Sequence, residues 1–190
     1  MPHNDWLLGR DRRDEAAERI YAAAADLISR LGYEAFSIEA LAARVHCSPA
    51  TIYRHAGGKA AIRDAVAGIQ ATRILQAVRE AIKDLTGPDR VVTATIVALR
   101  RMHADPLVHL VQPMQLAPGS EWLTTSPVVN GFAAEMLGED DPDPLATQWL
   151  IRVFLALWCW PLKDPAAERL IVERFLGPSC MNSHEARSAT

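Results

Sequence analysis

Between Ser48 and Lys59 the chain gathers Thr51, Tyr53, Arg54 and His55, a close set of hydroxyl, phenol, guanidinium, imidazole and ammonium groups. The set is not catalytic in pattern. No G-x-S-x-G elbow is present, and Gly57-Gly58 lacks the spacing of a phosphate-cradling loop. What these groups can do together is hold a polyanion. Ser37, Thr51 and Tyr53 can donate hydrogen bonds to phosphate oxygens, and Lys59 offers an ammonium beside a helix N-terminus whose N–H groups also point outward. Arg54 carries the planar fork that reads a guanine edge or grips a phosphate, and its residue type leaves the two roles open. Ala50 is small enough to let a helix end approach base edges.

These groups need elements to aim them, and the local signals supply two short helices. Ser37 is a good N-cap, followed by Ile38, Leu41, Ala42 and Val45 at i, i+3, i+4, i+7 spacing. His46-Cys47-Ser48 forms the turn. Ser48 caps the second helix and Pro49 takes its first position, where a missing N–H costs nothing. That helix, ending near His55, is too short to stand alone. Held by a neighbour, it has the size to enter the DNA major groove. Upstream, Asp14 to Leu31 reads as an amphipathic helix with a buried stripe of Ala16, Ile20, Ala23, Ala24, Leu27 and Leu31, ended by Gly32. Downstream, Lys59 to Leu85 reads as one long helix.

Residues 37–62 resemble the DNA-binding helix-turn-helix of TetR-type transcriptional regulators without a gap. Ser37 stands for the family's opening Thr, Leu41-Ala42 for its Ile-Ala, Ser48 for its Ser, Thr51-Ile52-Tyr53 for its Thr-Leu-Tyr, Lys59 for its Lys and Ile62 for its last Leu. His46 replaces the turn glycine, Ala50 the second small residue, His55-Ala56 the Tyr-Phe pair, and Gly58 and Ala60 flank the lysine. The resemblance implies DNA binding through Ser37, Ser48, Pro49, Ala50, Thr51, Tyr53, Arg54, His55 and Lys59. It further implies a homodimer on a palindromic operator, dimerisation through the last two long helices, and a small-molecule effector.

Composition agrees with a globular DNA-binding regulator. The 190 residues are 49% hydrophobic and 23% charged, too apolar for disorder. The net charge of −3 hides a local excess: residues 37–66 hold Arg44, Arg54, Lys59 and Arg63 against Glu39 and Asp64. A small basic footprint suits a site-specific binder and not a coat for nucleic acid. Cys47, Cys159 and Cys180 form neither a disulfide framework nor a zinc pattern. No signal-peptide or membrane-spanning run is visible, which leads us to expect a soluble cytoplasmic protein with no metal, no cofactor and no enzymatic activity.

The rest of the chain reads as helices broken at Gly87-Pro88, Asp105-Pro106, the 138–144 linker and Pro161, so the fold class is all-α. We expect a DNA-binding domain over 1–58 and a ligand-binding and dimerisation domain over 59–190, linked by the 59–85 helix. The Leu145–Trp160 segment is apolar nearly all round and calls for a partner surface. Effector-pocket candidates are Trp122, Phe132 and Trp149 as walls, with His103, Gln112 and Gln115 as polar groups. Two other readings remain. His103, Asp105 and His109 evoke a metal-dependent all-α enzyme, although six residues place the two histidines about 240° apart on a helix. A helix-turn-helix kept as an interaction module without DNA is the other.

Overall fold

The structure, a computed structural model, describes residues 5–107, 122–138 and 143–178, with the side chains of 5–13 and 122–123 outside that description. The described residues are helical and contain no strand. They form two compact units whose division falls inside a helix, at Ala71/Thr72.

The first unit is built on α1 (Asp5–Leu31), α2 (Ile38–Arg44), α3 (Pro49–Ala56) and the first half of α4 (Lys59–Ile82). Helix α1 starts nine residues earlier than its apolar pattern predicts, because nothing between Asp5 and Asp14 breaks a helix. Its buried stripe is Ile20, Ala24 and Ile28, spaced by four. Leu31 is exposed instead, since Gly32 takes φ +78° and turns the chain away at that point. Phe36, Ile38, Leu41, Ala42, Ile52, Ala56, Ile62, Val66 and Leu107 complete this core. Removing so much apolar surface from water, at about 25 cal/mol per Å², is what stabilises helices too short to persist alone.

Helix α4 is buried at Ile62 and Val66 near its start and at Val78 and Ile82 near its end. Between them Ile69 is exposed and Ile74 half-buried, so the buried face of the helix is interrupted where the two units divide.

In the second unit α5 (Gly87–Ala104) is the central element, with Val91, Val92, Ala94, Thr95, Ile96, Ala98 and Leu99 buried. Around it pack α7 (Pro127–Leu137), α8 (Pro144–Cys159) and a π-helical turn, Val172–Leu176, that continues α9 (Pro165–Ile171). A short α6 (Trp122–Thr125) precedes α7. Asp143 and Asp164 cap α8 and α9 by accepting from the Leu145 and Ala166 N–H groups, each followed by proline at the first position. Helix α4 stops at Ile82, short of Leu85. The Arg90 guanidinium takes up the freed carbonyls of Ile82 and Leu85, and that of Glu135 on α7, at 2.9–3.2 Å. No described helix is long and apolar enough to cross a membrane.

Candidate nucleic-acid interface

The short helix α3 is fixed at both ends and on one face. Ser48 has extended backbone, and its hydroxyl accepts the Thr51 N–H at 3.2 Å while lying 3.0 Å from the Thr51 hydroxyl. Ser37 caps α2 in the same way, accepting from Ala40 at 3.1 Å. In the turn between them, the N–H of His46 donates to Ala43 and that of Cys47 to Ala42. His46 adopts φ 56°, the left-handed conformation that explains why a glycine suits this place. At the far end Gly57 takes φ +78°, and a Cβ there would stand 2.9 Å from Ala61 Cβ. This tight glycine turn allows α4 to begin at Lys59, three residues after Ala56.

Ile52 and Ala56 bury one side of α3, which turns Pro49, Ala50, Tyr53 and Arg54 outward. Tyr53 is 57% exposed. Thr51 and His55 are half-buried on the flanks. The Arg54 Nε donates to His55 Nε2 at 3.4 Å. The His55 Nδ1 is buried with no hydrogen-bond partner among the described residues. Pro49 and Ala50 at the outer N-terminal end, then Tyr53 and Arg54 one turn on, form a face of the size that a major groove admits.

Lys59 is half-buried and tied down. Its ammonium donates to the Glu34 carbonyl at 3.3 Å and sits 4.7 Å from the centre of the Tyr33 ring. Arg63, one turn along α4, lies 5.8 Å from the same ring. Its guanidinium is held above its ordinary value chiefly by the hydrogen bond to Asp64, with a smaller contribution from Tyr33. Sequence reasoning counted Arg63 only in the basic footprint and missed Tyr33. The i, i+4 spacing of Lys59 and Arg63 was a visible signal, but Tyr33 was not, since 26 residues separate it from Lys59.

Of the six effector candidates, three have described side chains. His103 and Trp149 are exposed and Phe132 is half-buried; Gln112, Gln115 and His109 lie outside the described residues, as does the side chain of Trp122. Trp149 shares an exposed face of α8 with Leu145, at 50% and 77% exposure, and Trp160 just past the helix end is 68% exposed. Trp158, by contrast, is buried. Polar groups that the sequence did not single out lie inside the second unit. The Gln148 amide donates to the Thr124 carbonyl and to Asn130 Oδ1 at 2.7 and 2.9 Å. The Thr95 hydroxyl is fully buried, with no hydrogen-bond partner among the described residues.

Residues 20–66 match the family model described as bacterial regulatory proteins, tetR family. Over 185 residues the chain is 29% identical to an uncharacterized HTH-type transcriptional regulator of Mycobacterium tuberculosis, covering 94% of this chain and 91% of the relative. In fold it is similar to the TetR family repressor AlkX from a Dietzia strain, implicated in biodegradation of n-alkanes: TM-score 0.61, 18% identity, 86% of this chain and 94% of that one. It is also similar to AibR solved with isovaleryl coenzyme A and operator DNA: TM-score 0.52, 17% identity, 85% and 98% covered.

Proposed function

We propose that the chain is a DNA-binding transcriptional regulator of the tetR type, a homodimeric repressor released from a palindromic operator by a small effector. The observation that carries this reading is the outward face of α3. A capped, glycine-terminated helix presents Ala50, Tyr53 and Arg54 while its other side is locked into the core by Ile52 and Ala56. In this reading α3 enters the major groove. Ser37, Ser48, Pro49, Thr51, Tyr53 and Lys59 serve the backbone, and Arg54, beside His55, takes either a guanine or a phosphate.

Dimerisation is supported by the second unit. Leu145, Trp149 and Trp160 at α8, with Leu170 and Phe175 on α9 and the turn that continues it, are exposed large apolar side chains. A patch of this kind fits a second copy of the chain. The exposure of Trp149 supports a place at the subunit interface over one in a pocket wall. The effector would bind within the second unit, whose interior is apolar, and would be oriented by a few hydrogen bonds from groups such as Thr95, Asn130 or Gln148. Phe132 remains a wall candidate. Two fold relatives are in keeping with a small-molecule effector: AibR was solved with isovaleryl coenzyme A, a short apolar acyl group on a polar, anionic carrier, and AlkX is implicated in biodegradation of n-alkanes. Release follows as a population shift, the effector favouring the state whose half-site separation mismatches DNA.

Selection of binding sites from a random duplex library tests this function. The expected result is an inverted repeat whose half-sites are about one helical turn, 34–36 Å, apart or a multiple of that. Enrichment of an unrepeated half-site would remove the dimeric arrangement, and no enrichment would remove sequence-specific recognition.

A further inference from the structure

We propose that Tyr33 is a positioning residue that gathers Lys59 and Arg63 into a two-cation phosphate-binding point beside α3, a role that rests on the DNA-binding reading and adds a backbone contact to it. Tyr33 packs half-buried against the core of the first unit, so its ring is a fixed platform in the α1–α2 loop. Both cations lie within about 6 Å of its centre, the range in which a ring face attracts a cation. Long basic side chains lose rotamer freedom when they bind an anion; a ring that already orders them lowers that cost at the moment of binding.

The charge around the ring is incomplete. Arg63 is paired with Asp64 at 2.6 Å. Among the described residues Lys59 meets a carbonyl oxygen and the ring, neither of which carries a full negative charge, and its ammonium has three donors. Two like charges at i, i+4 disfavour a helix unless an anion lies between them. The point adjoins the outward face of α3 through the glycine turn. A Cβ on Gly58 would touch Tyr53 Cε1 at 3.6 Å, so the Tyr53 ring and the start of α4 are neighbours. A duplex lying on Tyr53 and Arg54 therefore brings its backbone to Lys59 and Arg63. If the ring only stapled the loop to α4, its loss would change stability and leave the ionic contacts to DNA untouched.

The experiment measures the affinity of the full chain for a random-sequence duplex between about 50 and 200 mM salt, where log affinity falls with log salt by about 0.9 per phosphate neutralised. Lys59→Gln and Arg63→Gln are each expected to flatten the slope by about 0.9 per bound protomer. Tyr33→Leu is expected to flatten it as well although no charge is removed, and Tyr33→Phe, which keeps the ring face, to retain the wild-type slope. A lowered melting temperature with an unchanged slope in Tyr33→Leu overturns the positioning role. An unchanged slope in Arg63→Gln overturns the two-cation point, and decides the matter even if Tyr33→Leu fails to fold. A wild-type protein that binds no duplex at all would instead overturn the DNA-binding reading beneath it.

Discussion

Arg79 and Glu135 meet through two parallel hydrogen bonds, Nε to Oε1 at 2.7 Å and Nη2 to Oε2 at 2.9 Å, which join the last turns of α4 to α7. The Glu135 carboxyl is held below the ordinary carboxylate range by the Arg79 hydrogen bond first, against the opposing effect of partial burial. A carboxylate with a lowered folded-state value contributes stability that is full above its unfolded value and is lost as pH falls through the folded one. Urea denaturation of wild type and Glu135→Gln should therefore show a wild-type advantage that is constant near neutral pH and shrinks below the ordinary carboxylate range. The pair is half exposed, so the advantage should be modest and reduced by salt.

Ser48→Ala removes the oxygen that accepts the Thr51 N–H. The expected cost is about 1 kcal/mol of stability, as for other N-cap losses, read from chemical denaturation. Operator affinity should fall as well, because the end of α3 that carries Ala50 frays first. Unchanged stability would mean that Pro49 and the core contacts hold this end without the cap.

His46 sits at φ 56°, where a side chain costs roughly 1–2 kcal/mol and glycine does not. His46→Gly should stabilise by less than about 1 kcal/mol, since glycine also gains freedom in the unfolded chain. His46→Val should destabilise, because a β-branched residue tolerates this conformation least. Thermal melts of the two variants should move in opposite directions.

Trp149→Glu places a charge on the exposed apolar face of α8 without entering the core. Sedimentation should show a folded monomer in place of a dimer, with helix content retained by circular dichroism. A dimer of wild-type affinity would move the interface elsewhere.

The shape of α3 was legible in the sequence because its determinants are local. Ser37 and Ser48 as caps, Pro49 at the first position and Gly32 as a stop are short-range signals, and the structure realises each of them. The contacts that join distant segments were not legible. Nothing in sequence spacing ties Tyr33 to Lys59, Arg79 to Glu135, or Arg90 to the carbonyls of Ile82, Leu85 and Glu135. Periodicity also misled at Leu31, where the pattern continues but the chain turns away.

Recognition of a specific DNA site by α3 is tested most directly by fluorescence anisotropy. A duplex bearing the selected inverted repeat is compared with a scrambled duplex at one salt concentration, for wild type and Arg54→Ala. Wild type should favour the site by roughly 10³-fold or more. Arg54→Ala should lose about 1–3 kcal/mol of that preference if the guanidinium reads a guanine. It should weaken both duplexes alike if the guanidinium holds a phosphate. Equal wild-type affinity for the site and its scrambled counterpart would contradict sequence recognition by this helix.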